Sequence, residues 1–429
     1  MPLPLPIEIV VCILESLVAF PDVMGAYPIR TDAFLPLNDI KRSIRSLSLL
    51  ALVCKQWNTI CTPILYQCLV IDDSTVTNVL LNTLESSRTT SRLQPLGCLT
   101  RHLIIALSDH PRDEVEFLGN RILQRFGNLG KLARCLPCLQ ILSISITIPA
   151  VLGLPMPYYG RDFAPSITQT SAQSLRKLYL HQNPIVLFSR RELRSLLEST
   201  PNLVALLGAG YIGCPLALPY LPKLKYLAIA SEAVRCDGND HKDRRASSLE
   251  HIHLGPVRSP TVWAHVLSAW GSKLTSVSLD LRFPIESALS PTSNLECLQI
   301  LSSLCPNITH LEIFIISWHC FPQADLFPPV ECLSIHLVFN GVTVTDICGT
   351  LTAIRLPSLK VVRFLDPEMD EWLASPQSGN VDGAWKPLLE VAFRVVNSYG
   401  HQLGPSEHHF KYASTVSSAL YPQLIAFFF

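Results

Sequence analysis

The strongest constraint on the fold is a spaced apolar triplet, L-x-x-L-x-L, with Ile, Val or Phe standing in for Leu. It begins at Leu139/Leu142/Ile144, Leu175/Leu178/Leu180, Leu224/Leu227/Ile229 and Leu249/Ile252/Leu254. It continues at Leu274/Val277/Leu279, Ile308/Leu311/Ile313, Val330/Leu333/Ile335, Leu359/Val362/Phe364 and Leu388/Val391/Phe393. From Leu175 onward, counting a degenerate copy at Leu203, the starts lie 21 to 34 residues apart. The end of each triplet alternates with period 2, which predicts a short strand. Helical patterns such as SRRELRSLLEST and PTVWAHVLSAWG fill the intervals. One such unit cannot bury its own leucines, so neighbouring units must stack them.

One strand and one helix per repeat is the leucine-rich-repeat signature. The copies are irregular and lack the consistent Asn of tidy repeats, and they resemble the degenerate leucine-rich repeats found behind many F-boxes. The expected fold class is α/β: a small helical N-terminal domain followed by a curved strand-helix solenoid. An α/β domain with parallel strands around one core is the alternative. Three stretches interrupt the array and read as solvated loops, with partner contact as the alternative: 153–172, 231–248 and 375–385.

The first seventy residues follow a different pattern. In LPIEIVVCILESL, Pro6 suits the first helical turn and Glu8 the positive helix N-terminus. Ile9, Ile13, Leu14 and Leu17 then make an apolar stripe. An insertion runs from about Val18 to Lys41. SLSLLALVCKQWNTIC follows as a second amphipathic helix ended by Pro63, and ILYQCLVI as a packed segment.

This pairing resembles an F-box, carried by Leu5, Pro6, Glu8, Ile9, Leu50, Val53, Cys54, Lys55, Trp57, Pro63, Leu65 and Tyr66. The insertion is longer than the family pattern. The resemblance implies an F-box-like domain over 1–70, a helical linker over 71–100, and a degenerate repeat solenoid with a C-terminal cap over 101–429. It also implies docking on a Skp-type adaptor of a cullin–RING ubiquitin ligase. The implied contact residues are Leu5, Pro6, Ile9, Ile13, Leu14, Leu17, Leu50, Val53, Cys54 and Trp57. The solenoid would hold a protein substrate through residues the sequence does not single out. Two rivals are a repeat scaffold without ligase association and an NAD-dependent dehydrogenase.

The dehydrogenase rival comes from G-x-G-x-x-G at Gly208, Gly210 and Gly213, with Glu232 downstream. LRSLLESTPNLVAL, from Leu193, aligns without a gap on LQILSSLCPNITHL, from Leu298. The glycines therefore follow a repeat strand, and Pro219 would break a phosphate-binding helix. No cofactor is expected. No G-x-S-x-G, H-E-x-x-H or P-loop occurs, so no catalytic residues are assigned.

Cys135 and Cys138 form a C-x-x-C without a second pair, and Cys332 and His336 lie far off in a repeat strand. His251 and His253 share a strand face, expected to be exposed and polar. No metal is expected. Fourteen cysteines at irregular spacings fit reduced, mostly buried thiols and a cytoplasmic or nuclear protein. Lys plus Arg and Asp plus Glu are 34 each, so no net field draws the chain to nucleic acid. The apolar tail YASTVSSALYPQLIAFFF carries hydroxyls and Pro422, and reads as a docked cap, not a membrane span.

Overall fold

The repeat leucines organise the chain into a parallel α/β architecture. The structure, a computed structural model, describes residues 6–17, 37–72, 74–89, 94–108, 128–147, 162–181, 188–208, 218–229, 246–255, 261–281, 291–315, 327–337, 344–353, 358–365 and 394–396. The chain divides into two compact units, Met1–Leu249 and Glu250–Phe429.

The first unit opens with three helices: α1 (Ile7–Leu17), α2 (Leu37–Ala51) and α3 (Lys55–Leu65). Six strands follow: β1 (Cys68–Ile71), β2 (His102–Ser108), β3 (Ile141–Thr147), β4 (Lys177–His181), β5 (Ala205–Leu207) and β6 (Tyr226–Ile229). They pair in chain order, all parallel, with Leu69, Leu103, Leu142, Leu178, Leu206 and Leu227 in one register row. Four helices alternate with them: α4 (Ser74–Thr89), α5 (Leu129–Arg134), α6 (Phe163–Thr170) and α7 (Arg190–Glu198). Each of these packs on the next.

The second unit repeats the plan. Its strands are β7 (His251–Leu254), β8 (Ser276–Asp280), β9 (His310–Ile315), β10 (Cys332–Leu337), β11 (Val361–Phe364) and β12 (Arg394–Val396). Ile252, Val277, Leu311, Leu333, Val362 and Val395 form the equivalent row. Among the described residues three helices accompany them: α8 (Thr261–Trp270), α9 (Pro291–Leu304) and α10 (Val344–Ala353). The first and middle positions of the triplets are buried throughout both units, from Leu139 to Leu359. That burial is the driving force for stacking the repeats.

Turns tie successive units together as well. A backbone N–H of each turn donates to the turn before it: Gln140 to Arg101, Arg176 to Gln140 and Val204 to Arg176. In the second unit Thr309 donates to Thr275, Glu331 to Thr309 and Lys360 to Glu331. Asn202 and Asn307, matched in the gapless alignment, have the same role. Their side-chain amides donate to the preceding turns, at Gln173 O (2.9 Å) and Ser272 O (2.6 Å).

Several expectations are corrected. Part of the loop read over 153–172 is α6, which buries Phe163, Ala164 and Ile167. Its Pro165 sits in the first turn, where a missing N–H costs nothing. Pro63 lies inside α3 and does not end it, because only the last residues of the helix follow. The strand expected from the ninth triplet is β12, where Val395 pairs with Val362, four residues beyond the expected Val391. Val391 and Phe393 lie outside the described residues, as do 375–385, most of 231–248 and the apolar tail. No helix among the described residues is long and apolar enough to cross a membrane.

Candidate docking surface

The three N-terminal helices share a small core made by i, i+4 pairs. Val10 and Leu14 from α1, Leu47 and Ala51 from α2, and Ile60, Cys61 and Ile64 from α3 are buried together. Val11, Leu50, Trp57 and Leu65 pack on them. The sequence predicts one helix across SLSLLALVCKQWNTIC, but the chain breaks after Ala51. Leu52 and Val53 turn on bonds to Leu49 O and Leu50 O, and Cys54 is extended at φ −162°. The Asn58 side chain then donates to Ala51 O at 3.3 Å, satisfying a carbonyl the helix end leaves open.

The break turns apolar side chains outward. Seven large hydrophobics are exposed among the described residues, and five of them belong to this head: Ile7, Ile9, Leu49, Leu52 and Val53. Leu52 is 81% exposed, Val53 65% and Ile9 47%. Such a concentration on a helical head marks an interaction surface.

The predicted contact residues now separate. Pro6, Ile9, Val53 and Cys54 are exposed. Ile13 is partly buried, and Leu50 and Trp57 pack against the core. Leu14 is a core residue, 3% exposed. Leu5 and the Leu17 side chain lie outside the described residues. Ile7, Leu49 and Leu52, also exposed, are not among the contact residues the resemblance implies. A signal for the last two was present in LLALVC: six consecutive apolar residues cannot all face one side of a helix.

The first half of α2 does something else. Leu37, Ile40 and Ile44 pack on Cys68, Val70, Ile104 and Ala106, side chains of β1 and β2 that alternate with the leucine rows. Lys41 pairs with Asp72 at 2.5 Å. On the same strand face His102 is buried, with Nε2 3.1 Å from Ser143 Oγ. Burial, and secondarily the Lys177 charge, push its pKa down to about 3.

The other candidate groups are structural in their surroundings. Gly208 follows β5 at φ +81° and donates its N–H to Ala228 O at 3.2 Å. A Cβ there would meet Leu180 O at 1.8 Å, so this glycine is required by close strand approach. Gly210 and Gly213 lie outside the described residues. Cys135 is buried, which raises its thiol pKa, and burial holds the thiols of Cys68, Cys297 and Cys305 up at about 12. Among the described residues no group of three or more His, Cys, Asp or Glu could hold a metal ion.

His251 and His253 share a face, but His253 is buried, contrary to an exposed polar face. Its Nδ1 lies 2.8 Å from Ser278 Oγ and its ring meets Phe314 edge-on. Phe314 stacks at 4.0 Å on His336, whose Nε2 is 2.9 Å from Glu312. Neighbouring strands bring these groups together at a spacing invisible in the sequence.

No protein-family model matches the chain, and no curated protein matches it.

Proposed function

We propose that the chain is a non-catalytic, substrate-recruiting subunit of a cullin–RING ubiquitin ligase. Its head acts as an F-box on a Skp-type adaptor, and the strand array acts as a leucine-rich-repeat solenoid that holds a protein substrate. One observation carries the reading. The head buries its own core yet leaves Ile9 and Val53, both at family-motif positions, exposed beside Ile7, Leu49 and Leu52. Its function would be proximity, since two macromolecules on one frame raise the effective concentration of substrate lysines.

The test replaces Ile9 and Val53 together by Asp. Both side chains are exposed in the free chain, so the head should fold, while charge buried against an apolar partner is strongly unfavourable. Adaptor and cullin should co-purify with the wild type and vanish with the double variant, at unchanged circular dichroism. Undiminished capture by the variant would overturn the F-box reading. Capture of other partners without adaptor by the wild type would favour a repeat scaffold outside any ligase. Deleting residues 1–70 is a poor substitute, because it strips β1 and α2 from β2.

A further inference from the structure

In the second unit, many of the strand residues that alternate with the buried leucine rows are polar or charged, among them Asp280, Glu312, Ser334, His336, Arg363 and Arg394. On this face Glu312 Oε1 lies 2.9 Å from His336 Nε2, and in the turns just before the strands Glu331 pairs with Lys360 at 2.8 Å. Arg363 on β11 and Arg394 on β12 make no ion pair with any of these acids. Arg363 is partly buried, and its Nε is buried with no hydrogen-bond partner among the described residues. A guanidinium donor left unsatisfied in a desolvated place is costly, which makes it a strong site for an incoming acceptor.

The register sets the surroundings. Arg363 is the direct β-ladder partner of Ser334, whose hydroxyl is 3.0 Å from His310 Nε2. On the other side Arg363 pairs with Val396 and Arg394 with Val361. The two arginines are thus diagonal on adjacent strands, roughly 8 Å apart at Cα by strand spacing and rise. Both side chains are long enough to converge on one group. The planar guanidinium fork matches the two oxygens of a carboxylate or phosphate.

We propose that this face of β10–β12 is an oxyanion site for a carboxylate or phosphate carried by a peptide, anchored by Arg363 and closed by Arg394. The proposal rests on the reading of the chain as a protein-recruiting subunit, and names the chemistry of what it recruits. With equal numbers of acidic and basic residues overall, a nucleic acid is the less favoured polyanion.

Fluorescence anisotropy on the purified full-length chain tests it without any adaptor. The probes are a labelled hexa-aspartate peptide, a six-residue peptide with three phosphoserines, and a dodecamer of thymidylate. Saturable, salt-weakened binding of at least one peptide is expected, and the tighter one identifies carboxylate or phosphate as the group. Arg363→Gln should weaken it about tenfold or more, and Arg394→Gln severalfold, as loss of a charge-assisted bond implies. Lys131→Gln, the same net-charge change on an exposed part of α5, should leave it unaltered. Arg394 is exposed, so its variant carries the test if Arg363→Gln fails to fold. The proposal is overturned if neither peptide saturates, if Arg394→Gln binds like wild type, or if the oligonucleotide binds tighter than both peptides. Adaptor capture is read separately through the head variant, so failure of one reading leaves the other visible.

Discussion

Single residues carry sharp, opposite expectations. Gly208→Ala places a methyl against Leu180 O at positive φ, and should destabilise by about 1 kcal/mol or more. Gly349→Ala, inside α10 with nothing near the new Cβ, should stabilise by up to about 1 kcal/mol. Thermal midpoints of the two variants should move in opposite directions, and equal shifts would contradict the contrast. His102 gives a pH dependence. Its folded pKa, about 3, lies below its unfolded value near 6.5, so the unfolded chain binds the extra proton between them. The contribution is full above pH 6.5 and is lost as pH falls toward 3. Acidification from pH 7 to 4 should therefore lower the wild-type midpoint more than that of His102→Gln. Nothing in TRHLII announces that burial, since a strand histidine reads the same on a wet or a covered face. The need for Gly208 was equally hidden, because the contact is with a strand twenty-eight residues earlier.

At the scale of elements, Leu311 sits fully buried in its register row. Leu311→Ala should cost about 2–5 kcal/mol. Hydrogen exchange should quicken mainly in β8, β9 and β10, because stability in stacked repeats is nearly nearest-neighbour. Equal loosening throughout the second unit would instead indicate one cooperative core. Most strands were legible because eight triplets keep strict spacing. β1 and β2 were not, since Tyr66 and Thr100 stand where the first leucine belongs. α6 was hidden by Pro165, which reads as a loop signal unless its place in the first turn is known. The outer faces were illegible for a different reason: Arg363 and Ser334 are 29 residues apart, and only the register joins them.

For the molecule as a whole, the boundary between head and strand array is not where composition changes. α2 contributes Leu47 and Ala51 to the helical core and Ile40 to the packing on β1 and β2. The apolar spacings on either side of the insertion made the helices of the head legible, but not their join to the sheet, because the join begins inside what reads as an insertion. Leu14→Asp and Ile9→Asp should differ accordingly. Leu14→Asp buries a charge in the helical core and should unfold the head, seen as lost helicity; Ile9→Asp should retain it. Ile40→Ala should speed exchange in β1 and β2 while the core of α1 and α3 keeps its protection, since its packing partners belong to the sheet. A fifteen-residue helix anchored in two cores also leaves the head no swivel of its own. Whatever seats on Ile9 and Val53 takes its bearing from β1 and β2. Aim and grip are then separable properties of this surface, the first set by Ile40 and its neighbours and the second by the side chains that face water.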